Sequence, residues 1–135
     1  MAYISQDKKA ELAPGIKAVL KKYGMKGTIG VRNHSTLVVN ISQGPLDVIG
    51  NWFEIKQANP NPGTEYAKPA HLQVNTHWIG ENYGGKCKEF LQELKAAMKG
   101  STWYDRSDIQ TDYFDISWYL DINIGQWDRA YVLTT

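Results

Sequence analysis

A chain of 135 residues with 42% hydrophobic and 21% charged residues has the make-up of one globular domain, and it lacks the composition of a disordered segment. A single cysteine, Cys87, excludes an internal disulfide, and the first residues hold no apolar leader. No apolar run approaches the roughly eighteen residues of a membrane span, so the expected location is the cytoplasm, with no membrane partner. Net charge is +1 but unevenly spread: residues 1–32 carry seven Lys/Arg against two Asp/Glu, and residues 101–135 carry two against six.

In chain order, Ser5 can cap a first helix in which Leu12, Ile16, Val19, Leu20 and Tyr23 share one face and Lys17, Lys21 and Lys22 lie off it. Pro14 opens or kinks this stretch, and Gly24 is a natural stop. Two alternating strands follow, around Ile29 and Val31 and around Leu37, Val39 and Ile41. Between them Asn33 and His34 tolerate positive φ and predict a hairpin turn.

Leu46, Ile49, Trp52 and Phe53 fit a helix over 46–58, although Gly50 in its middle weakens the pattern. The Pro- and Asn-rich stretch 59–69 reads as a loop, His71 to Asn75 as a short strand, and Trp78 to Tyr83 as a brief helical turn. Cys87, Phe90, Leu91, Leu94 and Met98 recur on one face of a clear helix that Gly100 ends. Residues 101–112 read as an acidic loop.

The last long element is the most regular. Phe114, Ile116, Trp118, Leu120, Ile122 and Ile124 alternate with Tyr113, Asp115, Ser117, Tyr119, Asp121 and Asn123, which predicts one strand over 113–124 with an apolar face and a polar face. The succession of elements implies a single α+β domain over residues 1–135. It would hold about four strands in a mostly antiparallel sheet, with helices packed on one face.

The polar row, with Trp127 just beyond it, is the first candidate surface. Asp115 and Asp121 lie six residues apart on one strand, roughly 20 Å, too far for a catalytic carboxylate pair. Tyr113, Asp115, Tyr119, Asp121, Asn123 and Trp127 instead suit an acidic, aromatic contact surface for a macromolecular partner or a second copy of the chain. Asp121 and Asn123 are close enough to share a cation, but two ligands make no metal site, and no cofactor signature is present.

His34 suits the turn, His71 and His77 lack metal-ligand spacing, and Cys87 belongs to an apolar helix face. The basic end, Lys17, Lys21, Lys22, Lys26 and Arg32, offers a second candidate surface, one that would hold nucleic acid through its phosphates. None of these sets specifies catalysis.

Two stretches carry a family likeness: Ala13-Pro14-Gly15-Ile16-Lys17-Ala18-Val19-Leu20-Lys21-Lys22-Tyr23-Gly24 leading into Arg32-Asn33-His34-Ser35, and Gln110-Thr111-Asp112-Tyr113-Phe114-Asp115 followed by Trp118-Tyr119-Leu120-Asp121-Ile122-Asn123-Ile124-Gly125. Together they resemble one of the large polyvalent protein-associated domains of phages and mobile elements, an α+β type. The resemblance implies an accessory protein that binds a host protein or complex, with counter-defence among its expected roles. It brings no catalytic motif to this chain.

Overall fold

The first helix, α1 (Gln6–Lys22), begins where its sequence said it would: the Ser5 hydroxyl accepts a hydrogen bond from the Lys8 N–H at 3.0 Å. Leu12, Ile16 and Leu20 are buried along one face. The helix stops in a Schellman arrangement, with Gly24 N–H donating to Lys21 O and Met25 N–H to Leu20 O. Gly24 takes a φ of 70°, in the left-handed region where a side chain is strained.

In the computed structural model of the chain, residues 3–58, 70–77, 79–101, 103–104, 117–126 and 128–134 are described. Strands β1 (Lys26–Arg32) and β2 (Thr36–Gly44) form the expected antiparallel hairpin, with Asn33 and His34 at φ values of 55° and 57°. Helix α2 (Val48–Ala58) tolerates Gly50 for a reason that composition hid. The Asp47 carboxylate folds back to accept the Gly50 N–H at 2.9 Å, and a Cβ at position 50 would collide with it.

Strand β3 (Leu72–Val74), the single-turn helix α3 (Ile79–Asn82) and helix α4 (Gly85–Lys99) follow. All five apolar residues anticipated for α4 are buried, and burial, then the Asp47 charge, pushes the Cys87 thiol above its ordinary pKa. Strand β4 (Tyr119–Ile124) is the described part of the long alternating run, and β5 (Val132–Leu133), which had no strand signal, closes the element order.

These elements make the expected α+β domain, on a sheet of five strands in the order β1-β2-β4-β3, with β5 beside the end of β2. The sheet is mixed: β4 lies parallel to β2, as does β5, while β1–β2 and β3–β4 are antiparallel. Strand alternation alone cannot register this. The direction of β4 is set by the long crossover through α2, β3, α3 and α4, and a parallel neighbour requires such a connection.

One face of the sheet carries Leu37, Val39, Ile41, Ile122, Ile124 and Val74 into a single core with the buried faces of α1 and α4. The opposite face carries the cross-strand row Thr28, Asn40, Asn123 and Gln73. The apolar row of the sequence is thus the core row as far as it is described: Trp118, Ile122 and Ile124 are buried and Leu120 half-buried.

Candidate functional site

The polar row of β4 meets neighbours that its own sequence does not reveal. Asp121, expected at an exposed acidic surface, is only 4% exposed. Its Oδ2 faces Arg32 Nη1 at 2.8 Å as a charge pair without an aligned hydrogen bond, and its Oδ1 accepts from Gln73 Nε2 at 2.9 Å. Asn123 is half-buried and donates through Nδ2 to Asn40 Oδ1 at 2.9 Å. The idea of a contact surface is corrected at these two positions, because β1, β2 and β3 bring partners to them. Tyr119 is exposed as anticipated, while Tyr113, Asp115 and Trp127 lie outside the described residues.

The basic set divides similarly. Lys17, Lys21 and Lys26 are exposed, Arg32 serves Asp121, and Lys22 pairs with Glu93 at 2.7 Å on α4. Glu93 also accepts a hydrogen bond from the Tyr23 hydroxyl. The Lys22 and Tyr23 bonds hold the Glu93 carboxyl below its ordinary pKa, and both partners are raised in return. Two of the five cations of the second candidate surface are therefore neutralised by the fold itself.

A different arrangement stands at the outer edge of β4. Tyr119 N–H donates to Ser35 O and Gly125 N–H to Ile41 O, so the odd residues of β4 direct their backbone groups at β2. The even residues then direct theirs to the other side, where β3 lies. Ile124 and Ile122 meet Leu72 and Val74, and there the ladder ends. Asn75 Oδ1 accepts the His77 N–H at 3.1 Å, an Asx turn that lifts the chain away from β4. Among the described residues no strand continues alongside Leu120, whose N–H and C=O face the gap.

The gap has built walls. Trp103 donates its indole N–H to Trp118 O at 2.8 Å, and Trp118 donates its own to Met98 O at 3.1 Å, one of the last carbonyls of α4. Ser117 fixes the same corner: its hydroxyl accepts Tyr104 N–H, its N–H donates to Tyr104 O, and its carbonyl accepts Tyr3 N–H. On α4, Lys99 Nζ sits 4.1 Å from the centre of the Trp103 ring, and Lys95 Nζ donates to Thr76 O at 2.8 Å. Burial first, and the neighbouring Lys99 second, push the Lys95 ammonium below its ordinary pKa.

The result is a groove of about 320 Å³ whose lining includes Lys95, Lys99, Trp103, Trp118, Tyr119 and Leu120, closed on one side by Thr76 and His77. It shares Thr76, His77 and Leu120 with an adjoining hollow of about 330 Å³ that runs along Gln73 to Asn75. Among the described residues, its lining holds two lysines and no carboxylate. Aromatic walls, fixed cations and open backbone groups form a recognition set; among the described lining residues there is no carboxylate to orient a general base. Among the described residues, no group of three or more His, Cys, Asp or Glu is placed to hold a metal ion.

Sequence reasoning missed this groove because its walls come from the β3–α3 turn, the end of α4, Trp103 and the start of β4. The available signal was local: Leu120 and Tyr119, adjacent on a strand whose neighbour is much shorter. Comparison with protein-family models, with curated proteins and with solved structures finds no match to this chain.

Proposed function

We propose that the protein is a binding module that engages a macromolecular partner through the groove at the start of β4. The observation that carries this reading is the coincidence of an open strand edge with aromatic and lysine walls that are themselves hydrogen-bonded into place. Such a site desolvates a ligand against Trp103 and Tyr119 while offering it charge, which is the anatomy of an interface centre. The resemblance of the chain to phage and mobile-element accessory domains makes a host protein the class of partner.

The test is affinity capture from host lysate with the wild type, with a Tyr119→Ala/Lys99→Glu variant, and with a Lys17→Glu/Lys21→Glu variant. The proposal expects one stoichiometric partner that is lost with the groove variant and kept with the α1 variant. Both variants should stay folded, within about 1 kcal/mol of wild-type stability, since Tyr119 and Lys99 are not core residues and Lys17 and Lys21 are exposed. Loss with the α1 variant alone would overturn the groove as the working surface and return it to the basic end.

A further inference from the structure

We infer that the occupant of the groove is an acidic, extended peptide segment, which adds to the sheet as a strand beside Leu120. This rests on the partner-binding reading above and specifies the chemistry of the partner.

The backbone supplies the first argument. Leu120 directs an N–H and a C=O into the groove, a donor and an acceptor on one residue. An extended peptide offers an acceptor and a donor at the matching strand spacing, whereas a sugar-phosphate backbone offers acceptors in abundance and few donors. The place is ready for such a strand. Continuing the β3 register by two residues would set Thr76 opposite Leu120, but the Asx turn at Asn75 has taken the chain out of that position. A guest strand would take the line that β3 abandons.

Charge and face supply the second argument. Leu120 shares the helix-facing row with Ile122 and Ile124, and α4 sets Lys95 and Lys99 on that side of the gap. Side chains of an added strand alternate, so every second one would point at the two ammonium groups and the others would lie beside Tyr119. With no carboxylate among the described lining residues, the lysines call for acidic residues at those alternate positions. Lys95 is partly desolvated already, which raises the gain from a carboxylate partner.

The experiment uses a short, end-capped, fluorescent peptide alternating Glu and Val, titrated against the full chain by anisotropy. Binding should weaken about tenfold or more when Glu is replaced by Gln. N-methylation of alternate peptide nitrogens should weaken it by a similar factor, about tenfold, in one register and little in the other, because only one set of N–H groups can face β4. Lys99→Glu should weaken the Glu/Val peptide and restore affinity for a Lys/Val peptide, a charge exchange that a folding defect cannot produce.

Equal affinity of the two N-methylated registers would overturn strand addition. Failure of the Glu/Val peptide to bind, while lysate capture still depends on Tyr119 and Lys99, would overturn the acidic occupant and leave the binding module standing. Groove-dependent, steeply salt-sensitive binding of oligothymidylate in place of the peptide would overturn it in favour of single-stranded nucleic acid. Capture that ignores the groove variant would remove the underlying reading instead.

Discussion

The two halves of β4 belong to one six-residue strand and yet live in different surroundings. Ile122 and Ile124 are fully buried, with β2 on one side and β3 on the other. At the start of the strand, Tyr119 is 48% exposed and Leu120, among the described residues, keeps β2 on one side only. The cause is a mismatch of lengths: β3 has three residues and β4 has six. A central strand can therefore anchor a core at one end and present an edge at the other, with no change in its alternating pattern. The edge of a sheet is a pairing surface unless it is covered or charged, and here the described elements stand back to leave a groove lined with aromatic rings and lysines.

Several substitutions break or sharpen this contrast. Ile122→Ala should cost about 2–5 kcal/mol in urea unfolding, because a fully buried side chain leaves a cavity, while Leu120→Ala should cost about 1 kcal/mol or less. Equal costs would erase the distinction between the halves. At the junction between them, Arg32→Met should destabilise more than Asp121→Asn, by a margin of about 1 kcal/mol in the same assay. The first change strands a buried carboxylate, whereas the second frees an arginine that is already 55% exposed.

On the open half, Lys99→Ala should cost less than about 1 kcal/mol of stability, the scale of its contact with Trp103, while weakening partner binding measurably. The smallest effect lies away from β4, at Glu93. Its pKa is lowered in the fold by Lys22 and Tyr23, so the stability it contributes is present above the ordinary carboxylate pKa and lost as pH falls through the depressed value. Glu93→Gln should remove that part of the acid dependence in a pH series of unfolding curves and leave groove binding unchanged; the surface position of the pair keeps the effect slight.

What could be read in the sequence was local. The α1 cap at Ser5, the Asn33–His34 turn, the apolar face of α4 and the apolar row of β4 all follow from spacing within one segment. What escaped depends on neighbours far along the chain. Asp121 and Asn123 looked free because Arg32, Gln73 and Asn40 are remote in sequence and adjacent only through sheet register. The parallel pairing of β2 and β4 follows from a crossover, and the two residues of β5 are too few to carry a period. The groove escaped for the same reason, since no two of its walls share an element.

Amide hydrogen exchange at two residues of β4 in the free protein tests the central claim most directly. The Ile122 N–H, directed at Val74 of β3, should exchange only through cooperative opening of the sheet, whereas the Leu120 N–H, directed into the groove, should exchange at least about a hundredfold faster. Equal, strong protection of both amides would show that the start of β4 is already paired, and the groove would then have no open edge to offer.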